Sequence, residues 1–262
     1  MNVHKILAQT DRQRVSDGAI QPILTSGETS NQTLVVVCPQ LGDFDSLEYA
    51  WWLNREMPRL TEANIKVKML GIGNRAAGQK FCDFTGFPAE SLFIDERAEL
   101  HSQLELYPGL SLKLPGCSTA QNAWFNLILM CAGIGSPGTL REVFRGYKGD
   151  KQAPQLIDDA EIVQAKPLPP LKGSFFHVAG GSGFQRPFEL ATLRLRNMAE
   201  VIGNWNVYVP DAAYLTQRGG TFLFDDRGTL LYEHRDPGIL GFAANMSQPL
   251  SFITHTSPIR SR

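Results

Sequence analysis

Hydrophobic residues fall into two rhythms along the chain: unbroken runs that suit strands, and spacings of three and four that suit helices. Residues 33–38, Thr-Leu-Val-Val-Val-Cys, are a β-branched and apolar run followed by Pro39 and Gly42. Such a run predicts a buried strand that stops at the proline. Leu47, Ala50, Trp51, Leu53, Met57 and Leu60 then recur at helical spacing. They predict a helix over about 46–62 with Asp45 at its N-cap and Glu48 completing an Asp-led capping box. Pro58 is expected to kink or shorten that helix. Adjacent helix positions lie about 100° apart, so one of Trp51 and Trp52 is expected to face solvent.

Residues 65–72 read as a second strand, 75–85 as a helix closed by Gly86 before Pro88, 91–96 as a third strand and 96–106 as a short helix. This β-α-β-α-β-α order predicts a parallel or mixed sheet with helices on its faces. Residues 108–119 read as loop. Residues 120–134 form a strongly apolar helix, and Ser136 with Pro137 at the first helical position opens another. The apolar residues of 120–134 nearly encircle it, so something must cover them: this domain's own core, a partner or a membrane surface. Residues 150–173 read as a connector, 175–180 as a strand and turn, and 189–203 as a helix. Strands at 221–224 and 229–233 flank Asp225-Asp226-Arg227-Gly228, which predicts an antiparallel hairpin with room for a bulge. Residues 1–30 read as a polar lead-in with at most short strands, 31–246 as one domain and 247–262 as a loose tail.

Composition narrows the class. The chain has 262 residues, with 25 Lys and Arg against 26 Asp and Glu, for a net charge of −1. That balance gives no general basic face for nucleic acid. No segment reaches the roughly 18–20 apolar residues of a membrane span, and residues 1–15 lack the apolar core of a secretory leader. The expectation is a soluble, cytoplasmic protein.

The four cysteines, Cys38, Cys82, Cys117 and Cys131, include no CxxC pair, and the five histidines form no HxxxH or HxH pair. Neither a metal site nor a cofactor is expected. Gly180-Gly181-Ser182-Gly183 lacks the Lys-Ser/Thr of a P-loop and the spacing of a dinucleotide fingerprint, so it reads as a turn. His234 is read as a surface residue or one satisfied by Asp236.

Three blocks carry a resemblance. They are LVVVCPQLGDFDSLEYAWWL (34–53), GIGNRAAGQKFCDFTGFPAESLFIDERAELHSQLEL (71–106) and QRGGTFLFDDRGTLLYEHRDPG (217–238). Their order and spacing resemble the peroxiredoxin-like 2 group of the AhpC/TSA antioxidant family. The resemblance implies a thioredoxin-like fold: an α/β domain with a central mixed sheet flanked by helices. An inserted helical segment is expected at about 108–173. It also implies a CxxC at the head of the first long helix, where this chain carries Asp43-Phe44-Asp45-Ser46; residues 39–81 contain no cysteine at all.

Peroxide reduction in this fold needs a thiolate at a helix N-terminus, where the dipole lowers the thiol pKa. Asp43 and Asp45 satisfy a helix end but cannot attack peroxide. The candidate thiols are then Cys38, Cys82 and Cys117; Cys38 and Cys82 read as packed hydrophobes, Cys117 as an exposed loop thiol and Cys131 as a packed helix residue. Arg218 is expected to pair with Asp43 or Asp45. Gly219 and Gly220 signal close backbone approach or an unusual φ. Trp124 and Phe125, within the helical segment 119–147, are candidate partner contacts. Two functions remain open: a redox-silent binding or assembly module, and a thiol-dependent antioxidant oxidoreductase that reduces peroxide or disulfide with a non-standard cysteine.

Overall fold

The structure is a computed structural model, and it describes residues 2–25, 31–149, 156–177 and 187–256. In chain order the elements are α1 (Val3–Gln9), β1 (Asp11–Arg14), β2 (Ile20–Pro22), β3 (Gln32–Gln40), α2 (Phe44–Glu62), β4 (Ile65–Ile72), α3 (Arg75–Thr85), β5 (Leu92–Asp95) and α4 (Glu99–Gln103). There follow α5 (Thr119–Cys131), α6 (Thr139–Lys148), β6 (Ile162–Val163), β7 (Leu171–Lys172), α7 (Pro187–Gly203), α8 (Trp205–Tyr208), β8 (Gly220–Asp225), β9 (Leu230–Arg235) and α9 (Ser251–Thr256).

Seven strands form one mixed sheet in the order β2-β1-β5-β4-β3-β8-β9. β3, β4 and β5 run parallel, and β8 pairs antiparallel with both β3 and β9. The βαβ units followed by an antiparallel hairpin make this a thioredoxin-like fold. The central strand is apolar throughout because both its faces are covered: Leu34, Val36 and Cys38 enter the core beneath α2, α3 and α7, whereas Val35 and Val37 enter the opposite core beneath α1 and α4. The β8–β9 ladder shifts register between Leu223 and Phe224, the bulge for which the loop left room.

Several details depart from the sequence reading. β3 passes Pro39 and reaches Gln40; the missing proline N–H is accommodated by an irregular register between Val37 and Gln40. Pro58 sits inside α2, which still runs to Glu62. Trp51 and Trp52 are both buried, because α7 packs on α2 and Tyr49, itself stacked on Phe242, lies against Trp52. The lead-in contributes a helix, α1, and its two short strands extend the sheet, β1 pairing with β5. Phe175 lies in a 3₁₀ turn rather than a strand, and residues 178–186 fall outside the described residues, with the glycines at 180, 181 and 183. The tail holds α9, whose Phe252 stacks on Tyr232 at 3.8 Å. Ser136 does not cap α6; Gly138 stands at that position, and the Ser136 hydroxyl accepts from the Ile239 backbone N–H at 2.9 Å.

The inserted segment contains α5 and α6 together with a small β6–β7 ladder. Ser118 and Gln121 form the capping box of α5. The loop before it is bound to its flank, since Asn126 both accepts from Leu112 N at 3.1 Å and donates to Leu112 O at 2.9 Å. Only Ala123, Asn126 and Met130 of α5 are buried, and Phe125 is half-buried. The helix is therefore not swallowed by the core: Trp124 is 41 % and Ile128 62 % exposed.

Candidate functional site

The site is the leading turn of α2 and the loops that close over it. The strand–loop–helix order of β3 and α2 delivers Asp43 to the N-cap, where its Oδ1 accepts from the Asp45 backbone N–H at 3.0 Å. A side-chain oxygen there satisfies an amide that the helix leaves unbonded. The cap is thus Asp43, two residues earlier than the expected Asp45. Glu48 does not complete a capping box; it pairs with Arg194 of α7 at 3.3 Å.

The other oxygen of Asp43 meets Arg218 Nη2 at 3.0 Å. Arg218 is 1 % exposed, and its remaining donors reach Thr216 O at 3.0 Å and Leu215 O at 3.1 Å. Of the two carboxylates expected to pair with Arg218, Asp43 does so directly. Asp45 Oδ2 instead accepts from the Leu240 backbone N–H at 3.0 Å. Leu240 has φ +67°, an uncommon conformation for leucine that this carboxyl helps to hold.

The Gly219-Gly220 pair is explained by close approach. A Cβ at Gly219 would lie 2.1 Å from Val37 O, and one at Gly220 2.9 Å from His234 O. Behind the pair lies Asp236, which sequence reasoning did not assign to the site. It is 2 % exposed and accepts from Gly238 N at 3.1 Å. His234 bonds Gly241 O at 3.1 Å rather than Asp236, and burial lowers its pKa.

Three carboxyl groups therefore surround one buried guanidinium, which pairs directly with Asp43. Asp45 keeps part of its surface open, yet the surrounding protein is deep enough that burial, followed by the Asp43 charge, pushes its pKa up to about 8 against the pull of Arg194 and Arg218. Burial likewise holds Asp236 well above the ordinary carboxylate range. At neutral pH Asp45 is mainly a carboxylic acid.

The thiols lie differently from expectation in one case. Cys38 is fully buried; burial and the Asp43 charge drive its pKa far up, opposed by the neighbouring Ser46 hydroxyl. Cys82 is on the buried face of α3, where burial first and then Asp83 push its pKa up to about 12. Cys117 is exposed and borders a surface groove with Leu112 and Thr119, away from the α2 turn. Cys131, read as packed, is exposed and lines the cleft over that turn. Its pKa is nonetheless raised, by burial first and then by Asp45 and Asp43, with Arg218 opposing.

That cleft, of about 550 Å³, is bounded by Gln40, Asp43, Phe44, Asp45, Trp124, Leu127, Cys131, Trp205, Leu215 and Ile239. Trp124 and Trp205 stack in it at 4.9 Å. A second cleft of about 520 Å³ lies across Asp45, between Tyr49, Trp52, Arg145, Phe242 and Met246. Of the two candidate partner contacts, Trp124 faces the site and Phe125 does not line either cleft. Ser46 lies beneath the turn, fully buried. Gln40, Trp205 and Cys131 were missed because only the fold of the insertion across the sheet end brings them together. The apolar helix signal marked its surroundings without marking them.

Among the described residues no three His, Cys, Asp or Glu side chains are grouped to hold a metal ion, and no helix is long and apolar enough to cross a membrane.

The mixed sheet, its βαβ units and the closing hairpin define a protein of thioredoxin-like fold. The model of the AhpC/TSA antioxidant enzyme family matches residues 52–238, and the chain belongs to that family. No curated protein and no solved structure matches it.

Proposed function

We propose that the chain is a redox-silent member of the AhpC/TSA family that uses the cleft above α2 for binding. One observation carries this reading: the turn where a reactive thiolate would be stabilised is closed by the Asp43 N-cap and its ion pair with Arg218 at 3.0 Å. A helix N-terminus stabilises an anion through unbonded amides and its dipole. Asp43 already supplies the anion. A second negative charge, thiolate or peroxide anion, would meet the Asp43 carboxylate, and the cation beside it, Arg218, is already engaged by that carboxylate.

A second reading has one specific observation in its favour. Cys131 is exposed in this same cleft. As a displaced peroxidatic thiolate it would attack the O–O bond of a hydroperoxide, forming a sulfenic acid and releasing an alcohol or water. Its raised pKa leaves little thiolate at neutral pH, which favours the silent reading.

Peroxide turnover coupled to thioredoxin or glutathione separates the two. The silent reading expects wild-type protein to match the Cys131→Ser variant at background rate. Turnover that disappears in Cys131→Ser, or in any other single Cys→Ser variant, establishes the enzyme reading instead.

A further inference from the structure

Gln40 lies at the floor of the cleft over α2 and is 2 % exposed. Its Nε2 donates to Asp211 O at 2.6 Å, and since a carbonyl can only accept, this fixes the amide orientation. The acceptor Oε1 is left buried with no hydrogen-bond partner. An unpaired buried acceptor costs roughly 1–3 kcal/mol, so its place in a cleft wall calls for a donor from outside. Asp45 lines the same cleft with one oxygen engaged by Leu240 N. Apart from Asp43, held by Arg218, and the Cys131 thiol, the rest of the wall is apolar and aromatic, with Trp124 stacked on Trp205 beside Leu215 and Ile239. Among the described residues no cationic side chain lines it. Acceptors on the floor, indole faces on the wall and the absence of a lining cation match an ammonium group on an apolar stem.

We propose that this cleft binds a primary alkylammonium group, with Gln40 Oε1 and the Asp45 carboxylate accepting its N–H donors and the Trp124–Trp205 stack flanking its stem. The proposal rests on the binding-module reading and names its ligand class. A free alkylamine and a lysine side chain of a partner carry the same chemistry.

Binding is coupled to a proton. The groups around Asp45 are Asp43 and Glu48 on its own helix, Arg194 on α7, Cys131 on α5, Arg145 across the second cleft, and Arg218 and Asp236 beneath. With Arg218 paired to Asp43 and Arg194 to Glu48, Asp45 is protonated at neutral pH, and an arriving cation displaces that proton.

The test is calorimetric titration of the full chain with n-hexylammonium, with n-hexanol and hexanoate as controls, and with a nine-residue peptide bearing one central lysine between apolar residues. Hexylammonium should bind at least tenfold more tightly than hexanol, with no binding of hexanoate. Its affinity should rise about tenfold from pH 6 to pH 7 and level off above about 8. Asp45→Asn keeps the shape and the Leu240 contact; it should lose at least tenfold in affinity at pH 8 and flatten the pH profile. Gln40→Met should weaken binding without flattening the profile. A peptide that binds tenfold better than hexylammonium places the group on a partner protein; equal affinity places it on a free amine. Both support the proposal. Hexanol binding as well as hexylammonium, or unchanged affinity in Asp45→Asn, overturns it. Peroxide turnover lost in a Cys→Ser variant overturns the binding-module reading itself, whatever the amines do.

Discussion

At the scale of single residues, the Asp43–Arg218 pair and the Asp45 carboxyl decide what the site can do. Arg218 is buried and bonds one carboxylate and two carbonyls. Arg218→Met should lower stability by about 3–5 kcal/mol, since it leaves Asp43 partly buried and unpaired. Adding Asp43→Asn should recover part of that loss, because the two residues share one interaction. Urea denaturation reads both; a loss under about 1 kcal/mol for Arg218→Met removes the pair from its structural role. Asp45 has the opposite linkage from most carboxylates. Its folded pKa, about 8, lies above the ordinary 3.8, so the folded state holds the proton more tightly. Its contribution to stability is fully present below about 4 and is lost as pH rises toward about 8. Asp45→Asn should flatten this part of the profile of urea midpoint against pH. A wild-type midpoint that climbs between pH 5 and 8 with the same slope as the variant contradicts the assignment. The sequence pointed to this turn because an acid at a helix start is a recurrent cap. It could not say which of two aspartates caps, since that depends on the φ and ψ of one loop residue.

At the scale of elements, most of the architecture follows from short-range pattern. The run 33–38 becomes the two-face-buried β3, the spacing from Leu47 to Leu60 becomes α2, and the Asp225–Gly228 turn joins β8 to β9. What failed depends on tertiary neighbours. α5 is apolar nearly all round yet leaves Trp124 and Ile128 open, because it borders a cleft instead of lying in the core. The short strands allowed for the lead-in are β1 and β2, held as an edge hairpin by pairing with β5, whereas the seven-residue α1 is too short for its apolar spacing to announce it. The Gly219-Gly220 signal was readable and its cause is now specific. Gly219→Ala forces a methyl group to within 2.1 Å of Val37 O and should destabilise by roughly 1–3 kcal/mol or more. Gly203→Ala, at the end of α7 with open space around it, should be neutral or stabilise by up to about 1 kcal/mol. Thermal denaturation distinguishes the two positions; similar melting temperatures contradict the close approach of β8 to β3.

At the scale of the whole molecule, family membership and the proposed redox silence rest on different observations. The family match covers residues 52–238, and the sheet order carries the corresponding fold. The chemistry we propose belongs to a few atoms at the head of α2, where Asp43 caps the helix. The absence of cysteine from 39 to 81 is what raises the redox-silent proposal, and the family was legible in the chain through the three resembling blocks. The position of Cys131 was not, because nothing in local sequence places the insertion over the sheet end. Native-state alkylation followed by mass analysis should modify Cys117 and Cys131 first, with Cys38 and Cys82 protected until unfolding. Early modification of Cys38 contradicts the buried β3 terminus.

The most direct test of the central claim is the rate of hydroperoxide consumption by the full chain, supplied with thioredoxin, thioredoxin reductase and NADPH, across pH 6 to 9. The Asp43-capped turn predicts a rate no higher than that of a chain with all four cysteines changed to serine. A wild-type rate that rises with pH as a thiol ionises, and that vanishes when Cys131 alone becomes serine, contradicts it.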